Sequence, residues 1–482
     1  MIDVILDLDS TLIFNEKQLS DEELLLGQCV SEGKSPSERN YLHLDIIPLL
    51  KEFGSSHRFS LATARSLTDL RRIDIQKIPI NHLFLLENGG VVLDKNHAPI
   101  PIWDFPQDIK SLTDSLIEQG YQLDQRYDYQ TAVIIQSGTK DSAVHTQIIE
   151  NLHRDFLGED FYCVSVGRRI FISPIGIGKY SCIQQLITQN FINPFYMAAG
   201  NDENDKEMLL HAIRGYVPQS ATIAPKLKDE PCITLCPGTS LAASKQLIES
   251  IGHATFPLSL VHYYSTPVKQ VMLRNDFLDY CRKNHEVGKT ISRSLSAKDN
   301  LIFVAGISGS TKTFFSNMMG MLNDNYSVLH LDIYADKTST VGPAVSKTFI
   351  PQYFKFDESK NQLNQLLQGT VLHVPIYSHE HRNIGSEHEM VHPNDNYVCE
   401  GIHAHNPEFN EFGENHHAIK VLLYASKEYF NAFTRTGKPM SKEVADRRYQ
   451  SYLKNVYSYS NDAQIILTVN LEHRLHIQKM EV

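Results

Sequence analysis

Two apolar runs on this chain stop abruptly at polar loops, and no other feature constrains the fold as tightly. The first is Val4-Ile5-Leu6-Asp7-Leu8-Asp9-Ser10-Thr11; the second is Leu301-Ile302-Phe303-Val304-Ala305, which runs on into Gly306-Ile307-Ser308-Gly309-Ser310-Thr311-Lys312-Thr313. A continuous apolar run bounded by a turn is the pattern of a strand buried on both faces of a parallel sheet. Ligands bind such sheets outside the carboxyl ends of the strands, where both loops fall. The first loop offers two carboxylates two residues apart; the second offers small residues, a lysine and a threonine hydroxyl.

The rest of the chain repeats that texture. At 482 residues it exceeds one ordinary core, and roughly two to four domains are expected. In the first 250 residues the runs Ile2–Leu8, Phe59–Ala62, Leu83–Leu86, Phe195–Ala199 and Cys232–Leu235 are separated by helix-length stretches. Residues 90–178 change character and read as an inserted α+β cap, too large for a loop without its own core. Residues 251–298 read as a helical linker region. A second series, residues 299–482, has β runs at Leu301–Ala305, Ser327–Leu331, Val371–Val374, Tyr397–Cys399, Ile419–Leu423 and Ile465–Val469. The expected fold class is α/β, with two Rossmann-like parallel-sheet domains.

Composition narrows the partners. A formal net charge of −11 repels phosphate backbones and argues against nucleic acid, while leaving room for a small phosphorylated metabolite in a locally positive pocket. Seven cysteines are too few and too scattered for a disulfide scaffold, and Cys232 and Cys236 read as buried thiols. No run approaches the roughly 18 apolar residues of a membrane span, and no basic leader precedes the first strand; the expectation is a cytoplasmic protein with no membrane partner.

A carboxylate that attacks phosphorus needs a metal, a proton donor and a cation for the transferring group. Asp7 is the candidate nucleophile and Asp9 the proton donor. Thr63 and Arg65 follow the second strand and can bind phosphoryl oxygens; Lys179 can neutralise the aspartyl-phosphate. Gly200-Asn201-Asp202-Glu203-Asn204-Asp205 supplies hard oxygen ligands suited to Mg²⁺. Taken in order, Asp7-x-Asp9-x-Thr11, Thr63-x-Arg65, Lys179 and Gly200 to Asp205 resemble the four motifs of haloacid dehalogenase (HAD) superfamily phosphatases. The Cof-type and sugar-phosphatase branch, which carries a cap, is the nearer likeness. Glu87-Asn88-Gly89-Gly90 resembles that branch's turn before the cap, which makes Asn88 a substrate-contact candidate. The resemblance implies Mg²⁺ held by Asp7, Asp9, Asp205 and either Asn201 or Asp202. The family's fourth motif has an acid where Asn201 stands.

The downstream loop has the parts for a nucleotide's phosphates: backbone donors, a helix start and Lys312. Gly306, Ser308, Gly309, Ser310, Thr311, Lys312 and Thr313 would cradle ATP or GTP, with Thr313 on Mg²⁺. Thr311 occupies a position where the usual pattern has glycine, and a β-branched residue resists positive φ. Asp332 is the candidate base for a substrate hydroxyl, and Glu400 a second metal-side residue. Arg435, Lys438, Arg447 and Arg448 are candidate phosphate clamps. The stretch resembles the uridine kinase, phosphoribulokinase and pantothenate kinase group, and that resemblance implies acceptor contacts from Tyr377, His381 and Arg382.

The expectation is thus a bifunctional enzyme: Mg²⁺-dependent hydrolysis of a small phosphomonoester, sugar- or nucleotide-like, and phosphorylation of a small hydroxylated metabolite by a nucleoside triphosphate. The alternatives are a polynucleotide end-processing phosphatase–kinase and a non-catalytic nucleotide or metabolite sensor, in which Asn201 and Thr311 mark decayed sites.

Overall fold

The computed structural model describes all residues except 32–34, 36–37, 104–108, 125–128, 158–159, 167, 255–257, 262–263, 296–300, 323–325, 336–339, 342–344, 347–350, 379–382, 392, 395 and 433–441. The chain divides into two compact units, Met1–Gly252 and His253–Val482. Each is a mixed α/β domain built on a mostly parallel sheet.

The first unit begins with β1 (Ile2–Asp7), followed by β2 (His57–Ala62), β3 (Leu83–Leu86) and β4 (Val91–Asp94). The cap contributes α1 (Ile109–Glu118), β5 (Val133–Gln136), α2 (Ser142–Leu152), β6 (Phe161–Val166) and β7 (Arg169–Pro174). The chain then returns through α3 (Lys179–Thr188), β8 (Tyr196–Ala199), β9 (Arg214–Pro218) and β10 (Ile233–Cys236). The seven core strands lie in the order β10-β9-β8-β1-β2-β3-β4, parallel throughout except for the β3–β4 edge pair. Val4, Ile5 and Leu6 are fully buried, as a central strand covered on both faces requires. The cap is narrower than residues 90–178: Val91–Asp94 pairs with β3 and so belongs to the core sheet, because its Leu93 and Val92 are core residues. The cap's own sheet has the order β5-β7-β6, packed with its two helices on Leu116, Ile135, Leu152, Phe161, Ile170 and Ile172. Cys232 and Cys236 are buried.

The second unit contains α4 (Pro267–Ser294), a 28-residue helix spanning most of the stretch read above as a linker. Its buried face, Leu273, Phe277, Leu278, Cys281 and Ile291, makes it part of this unit's core rather than a tether. It packs on α5 (Lys312–Leu322) closely enough that a Cβ on Gly288 would lie 2.6 Å from Leu322. The sheet strands are β11 (Leu301–Gly306), β12 (Tyr326–His330), β13 (Asn396–Glu400), β14 (Ile419–Ala425), β15 (Ile465–Val469) and β16 (Leu475–Met480). Their order is β12-β13-β11-β14-β15-β16, all parallel but the last pair. The run Val371–Val374 does not join this sheet: Leu372–Ser378 pairs antiparallel with Asn383–Val391 as a separate ribbon. Among the described residues, no helix is long and apolar enough to cross a membrane.

Candidate functional site

Each sheet ends in a cluster of charged side chains. In the first unit, Asp7 closes β1 and Gly200 to Asp205 follows the neighbouring β8, so the two loops meet at the carboxyl ends of adjacent strands. Lys179 opens α3, a position where a cation opposes the helix dipole; what holds it there is a pair of carboxylates. Its Nζ donates to Asp7 Oδ1 at 2.6 Å and to Asp205 Oδ1 at 2.6 Å. All three side chains are buried. Thr11 Oγ1 donates to Asp7 Oδ2 at 2.8 Å, fixing the carboxylate's rotation. Asp205 Oδ2 accepts from the Asn201 and Asp202 backbone amides at 2.9 and 3.2 Å. Gly200 is glycine for want of space: a Cβ there would lie 2.5 Å from the Asp205 side chain.

One ammonium faces more than one buried carboxylate. Burial and the neighbouring Asp205 push the Asp7 carboxyl up from 3.8 to about 8, against the pull of Lys179. Burial and Asp205 also raise the Asp202 carboxyl. Burial works against the Lys179 ammonium, but Asp205 and Asp7 outweigh it and hold the amine well above the usual lysine range. This surplus of hard anionic oxygen fits a divalent cation that keeps several of its waters. The donor set is lean, since no group of three His, Cys, Asp or Glu side chains converges as a ligand cluster among the described residues. Asp202 as a whole residue is exposed while its carboxyl is partly desolvated beside Asp205, and its Oδ1 accepts from Asn204 N at 2.9 Å, capping the turn.

Asp9 and Arg65 form a fork: Arg65 Nε and Nη2 donate to the two Asp9 oxygens at 2.8 and 2.5 Å. Asp9 is half exposed, and Arg65 stands at the site's rim, turned toward Asp9. Thr63 is fully buried; its Oγ1 accepts from Arg65 N at 3.2 Å, which leaves its own hydrogen to donate. Asn88 N donates to Thr63 O at 2.9 Å, so the turn before the cap is tied to the same strand end.

In the second unit, Gly306 to Thr313 links β11 to α5. A Cβ on Gly306 would lie 2.5 Å from Ser310 Oγ, and Ser310 Oγ is buried with no partner among the described residues. Lys312 is buried on the first turn of the helix. Gly309 has φ 85° and Thr311 φ 63°. The threonine therefore does adopt the left-handed conformation that its sequence position demands. Three tyrosines brace the loop. The Thr311 Oγ1 donates to the Tyr280 hydroxyl at 3.4 Å, and the Tyr429 hydroxyl donates to Gly309 O at 3.2 Å. Tyr452 is hydrogen-bonded to Ser308. Left-handed backbone costs an L residue roughly 1–2 kcal/mol, so Thr311→Gly is expected to stabilise this unit by roughly 1 kcal/mol, read as a higher thermal midpoint, without weakening ATP binding.

Glu400 ends β13 beside the loop. Thr313 Oγ1 donates to Glu400 Oε1 at 3.1 Å, and His330 Nδ1 lies 2.6 Å from the same oxygen. Glu400 Oε2 is buried and has no partner among the described residues. An orphaned carboxylate oxygen beside a threonine hydroxyl fits a cation, and Lys312 with the orphaned Ser310 hydroxyl fits phosphate oxygens. Asp332 Oδ1 accepts from Ile402 N at 3.0 Å, which ties the candidate base to the turn after Glu400. Arg447 is exposed, whereas Arg448 lies within electrostatic reach of Tyr452, as does Asp332. The side chain of Tyr377, and His381, Arg382, Arg435 and Lys438 altogether, lie outside the described residues.

Sequence reasoning missed His330, although it stands two residues before Asp332 on the same strand exit. It also missed Tyr280, Tyr429 and Tyr452, which come from distant helices and carry no local signature.

Residues 301–428 match the sequence model of the phosphoribulokinase/uridine kinase family. No curated protein compared with the chain matches it. Among solved structures, the chain is similar to the sucrose-phosphatase of Synechocystis in complex with sucrose and phosphate (14% identity, 52% of this chain and 97% of that one, TM-score 0.38). It is also similar to a phosphatase of the haloalkanoate (HAD) superfamily from Bacteroides thetaiotaomicron (15% identity, 52% and 94%, TM-score 0.37). A third is a trehalose-6-phosphate phosphatase related protein (16% identity, 52% and 96%, TM-score 0.33).

Proposed function

We propose that the chain is a two-site phosphoryl-transfer enzyme. Residues 1–252 hydrolyse a small phosphomonoester through a covalent phosphoryl group on Asp7. Residues 253–482 transfer the terminal phosphoryl of ATP or GTP to a hydroxyl of a small metabolite. The observation that carries the reading is that the central strand of each sheet ends at a loop with a buried lysine and buried carboxylates nearby: Lys179 between Asp7 and Asp205, and Lys312 next in sequence to Thr313, whose hydroxyl donates to Glu400.

In the first unit an Asp7 oxygen attacks phosphorus as the ester P–O bond breaks. Thr11, which already holds the carboxylate, sets the direction of attack. Thr63 donates to a phosphoryl oxygen, and Lys179 neutralises the aspartyl-phosphate from its place against Asp7. Arg65 trades its pairing with Asp9 for the incoming phosphoryl group. Asp9, released, protonates the leaving oxygen and then takes a proton from the water that cleaves the acyl phosphate. Asp7 with Asn201 or Asp202 would hold Mg²⁺, which would supply charge screening between the two anions. In the second unit Lys312 and the loop's amides hold the nucleotide phosphates, Thr313 and Glu400 serve the metal side, and Asp332 accepts the acceptor hydroxyl's proton.

The test is a metabolite screen. The expected results are magnesium-dependent phosphate release from p-nitrophenyl phosphate and from members of a phosphomonoester panel, and conversion of ATP or GTP that depends on an added hydroxylated acceptor. Absence of both activities across the panel contradicts the reading.

A further inference from the structure

The loop between β11 and α5 holds two residues in left-handed backbone, Gly309 at φ 85° and Thr311 at φ 63°. Such a turn aims successive amide N–H groups at one point, where an anion binds. Aligned amides repel one another before an anion arrives, and a left-handed threonine is strained, so contacts from outside must hold the shape. The Gly309–Ser310 peptide plane is fixed from both sides. Its carbonyl accepts from the Tyr429 hydroxyl at 3.2 Å, and Ser310 N donates to Ile307 O at 3.1 Å.

Tyr429 stands in the short helix Lys427–Ala432, and His473 in the turn between β15 and β16. His473 Nδ1 lies 2.7 Å from the Tyr429 hydroxyl, and the two rings meet edge-on at 86° with centroids 5.7 Å apart. A phenol has one hydrogen to give and a carbonyl has none. Because Tyr429 gives its hydrogen to Gly309 O, His473 Nδ1 carries a proton and donates it to the Tyr429 oxygen. The imidazole thus orients the hydroxyl that orients the loop.

The His473 turn is itself anchored by α4. Asn284 is fully buried; its Nδ2 donates to His473 O at 3.0 Å, and its Oδ1 accepts from Leu475 N at 2.7 Å. A buried amide that answers both a carbonyl and an N–H of one turn fixes its position, as an apolar side chain could not. One helical turn earlier on α4, the Tyr280 hydroxyl accepts from Thr311 Oγ1 at 3.4 Å. The helix therefore reaches both left-handed residues of the loop: Thr311 directly, and Gly309 through His473 and Tyr429.

We infer that Tyr429 and His473 are positioning residues of this loop, anchored by Asn284 of α4, and that together they preset it to receive a polyphosphate chain. This inference rests on the nucleotide reading of the second unit.

The test measures, by calorimetry on the full chain, binding of MgATP, MgGTP and inorganic tripolyphosphate. Tyr429→Phe keeps the ring and loses only the hydroxyl. It weakens the better-bound nucleotide and tripolyphosphate by the same factor, roughly three- to tenfold, because the loss falls on the phosphates. His473→Gly removes the donor and tolerates the φ of 61° at this position, and it gives a loss of similar size. His473→Asn recovers most of it, since its amide offers a donor near the Nδ1 position and asparagine accepts left-handed backbone. The Tyr429→Phe/His473→Gly double variant binds no more weakly than the weaker single variant. Where the wild type binds, unchanged binding in Tyr429→Phe, no recovery in His473→Asn, or losses that multiply in the double variant overturn the inference. Hydrogen exchange of the ligand-free chain separates the two readings. Amides of residues 307–313 exchange faster in Tyr429→Phe and His473→Gly than in the wild type, and His473→Asn returns them toward wild-type rates. If they do so while the wild type binds none of the three probes, the brace stands and the nucleotide reading alone fails. Loop exchange that neither Tyr429→Phe nor His473→Gly changes overturns the inference whatever the binding.

Discussion

Lys179→Met is expected to abolish phosphate release and to cost the first unit about 3–5 kcal/mol of stability. The ammonium is buried between Asp7 and Asp205, 2.6 Å from each, and no second ammonium is bonded to either carboxylate among the described residues. Methionine fills the volume of the side chain but leaves two carboxylates facing one another without a counter-charge. At about 2–4 °C per kcal/mol, the thermal midpoint of this unit falls by roughly 6–20 °C. Asp7→Asn gives the opposite pairing of effects. It removes the proposed nucleophile, so phosphate release is expected to drop roughly 10⁴–10⁶-fold, but it also removes one of the crowded carboxylates. The sign follows from linkage. The Asp7 carboxyl is raised from 3.8 to about 8 on folding, so within that window the folded chain binds the proton more tightly than the unfolded one. Its contribution to stability is full at pH below 4 and is lost as pH rises toward 8. Scanning calorimetry in metal-free buffer is therefore expected to show a first-unit midpoint that declines across this range in the wild type and declines less in Asp7→Asn. A destabilised Asp7→Asn, or a Lys179→Met variant as stable as the wild type, would mean that the cluster is not short of positive charge.

Lys312→Ala is expected to remove nucleotide-dependent phosphorylation, by roughly 10²–10³-fold for loss of one preorganised charge, and to weaken ATP binding measured by calorimetry. It is expected to leave the thermal midpoint of the nucleotide-free protein unchanged or higher. Lys312 is buried at the start of α5, where its charge meets the positive end of the helix dipole, an arrangement unfavourable to the fold and suited to the proposed phosphate site. A variant that binds ATP as tightly as the wild type would remove the loop from the nucleotide site.

Much of this was legible from local pattern. A buried parallel strand announces itself as an unbroken apolar run, so β1 and β11 and the loops that follow them could be read directly. That Asp7, Lys179 and Asp205 belong together was legible from a resemblance, the order of the four motifs shared with HAD phosphatases, and not from the strand runs themselves. What escaped was whatever depends on which strand sits beside which. Val91–Asp94 reads as the start of an insertion, yet pairs with Leu83–Leu86, because a short hairpin is favoured once the apolar runs Leu83–Leu86 and Val91-Val92-Leu93 flank a tight turn. The long helix Pro267–Ser294 has a polar composition that suggests a tether, and only its packing against Lys312–Leu322 reveals its apolar stripe as core. The Asp9–Arg65 fork, the tyrosines behind the phosphate loop and the four hydrogen bonds on Glu87 are contacts between residues far apart in sequence, and no single-chain pattern encodes them. The strain at Thr311 lies between these cases: the loop pattern requires positive φ there, and how an L residue tolerates it is visible only in its contact with Tyr280.

The central claim is that one chain carries two phosphoryl sites, each with its own lysine. The most direct test assays a single preparation of wild type, Asp7→Asn and Lys312→Ala for both phosphate release from a phosphomonoester and phosphorylation of an acceptor by ATP. The account predicts a crossed result: Asp7→Asn loses only the first activity and Lys312→Ala only the second. Loss of both activities in either variant, or retention of phosphate release in Asp7→Asn, would contradict it.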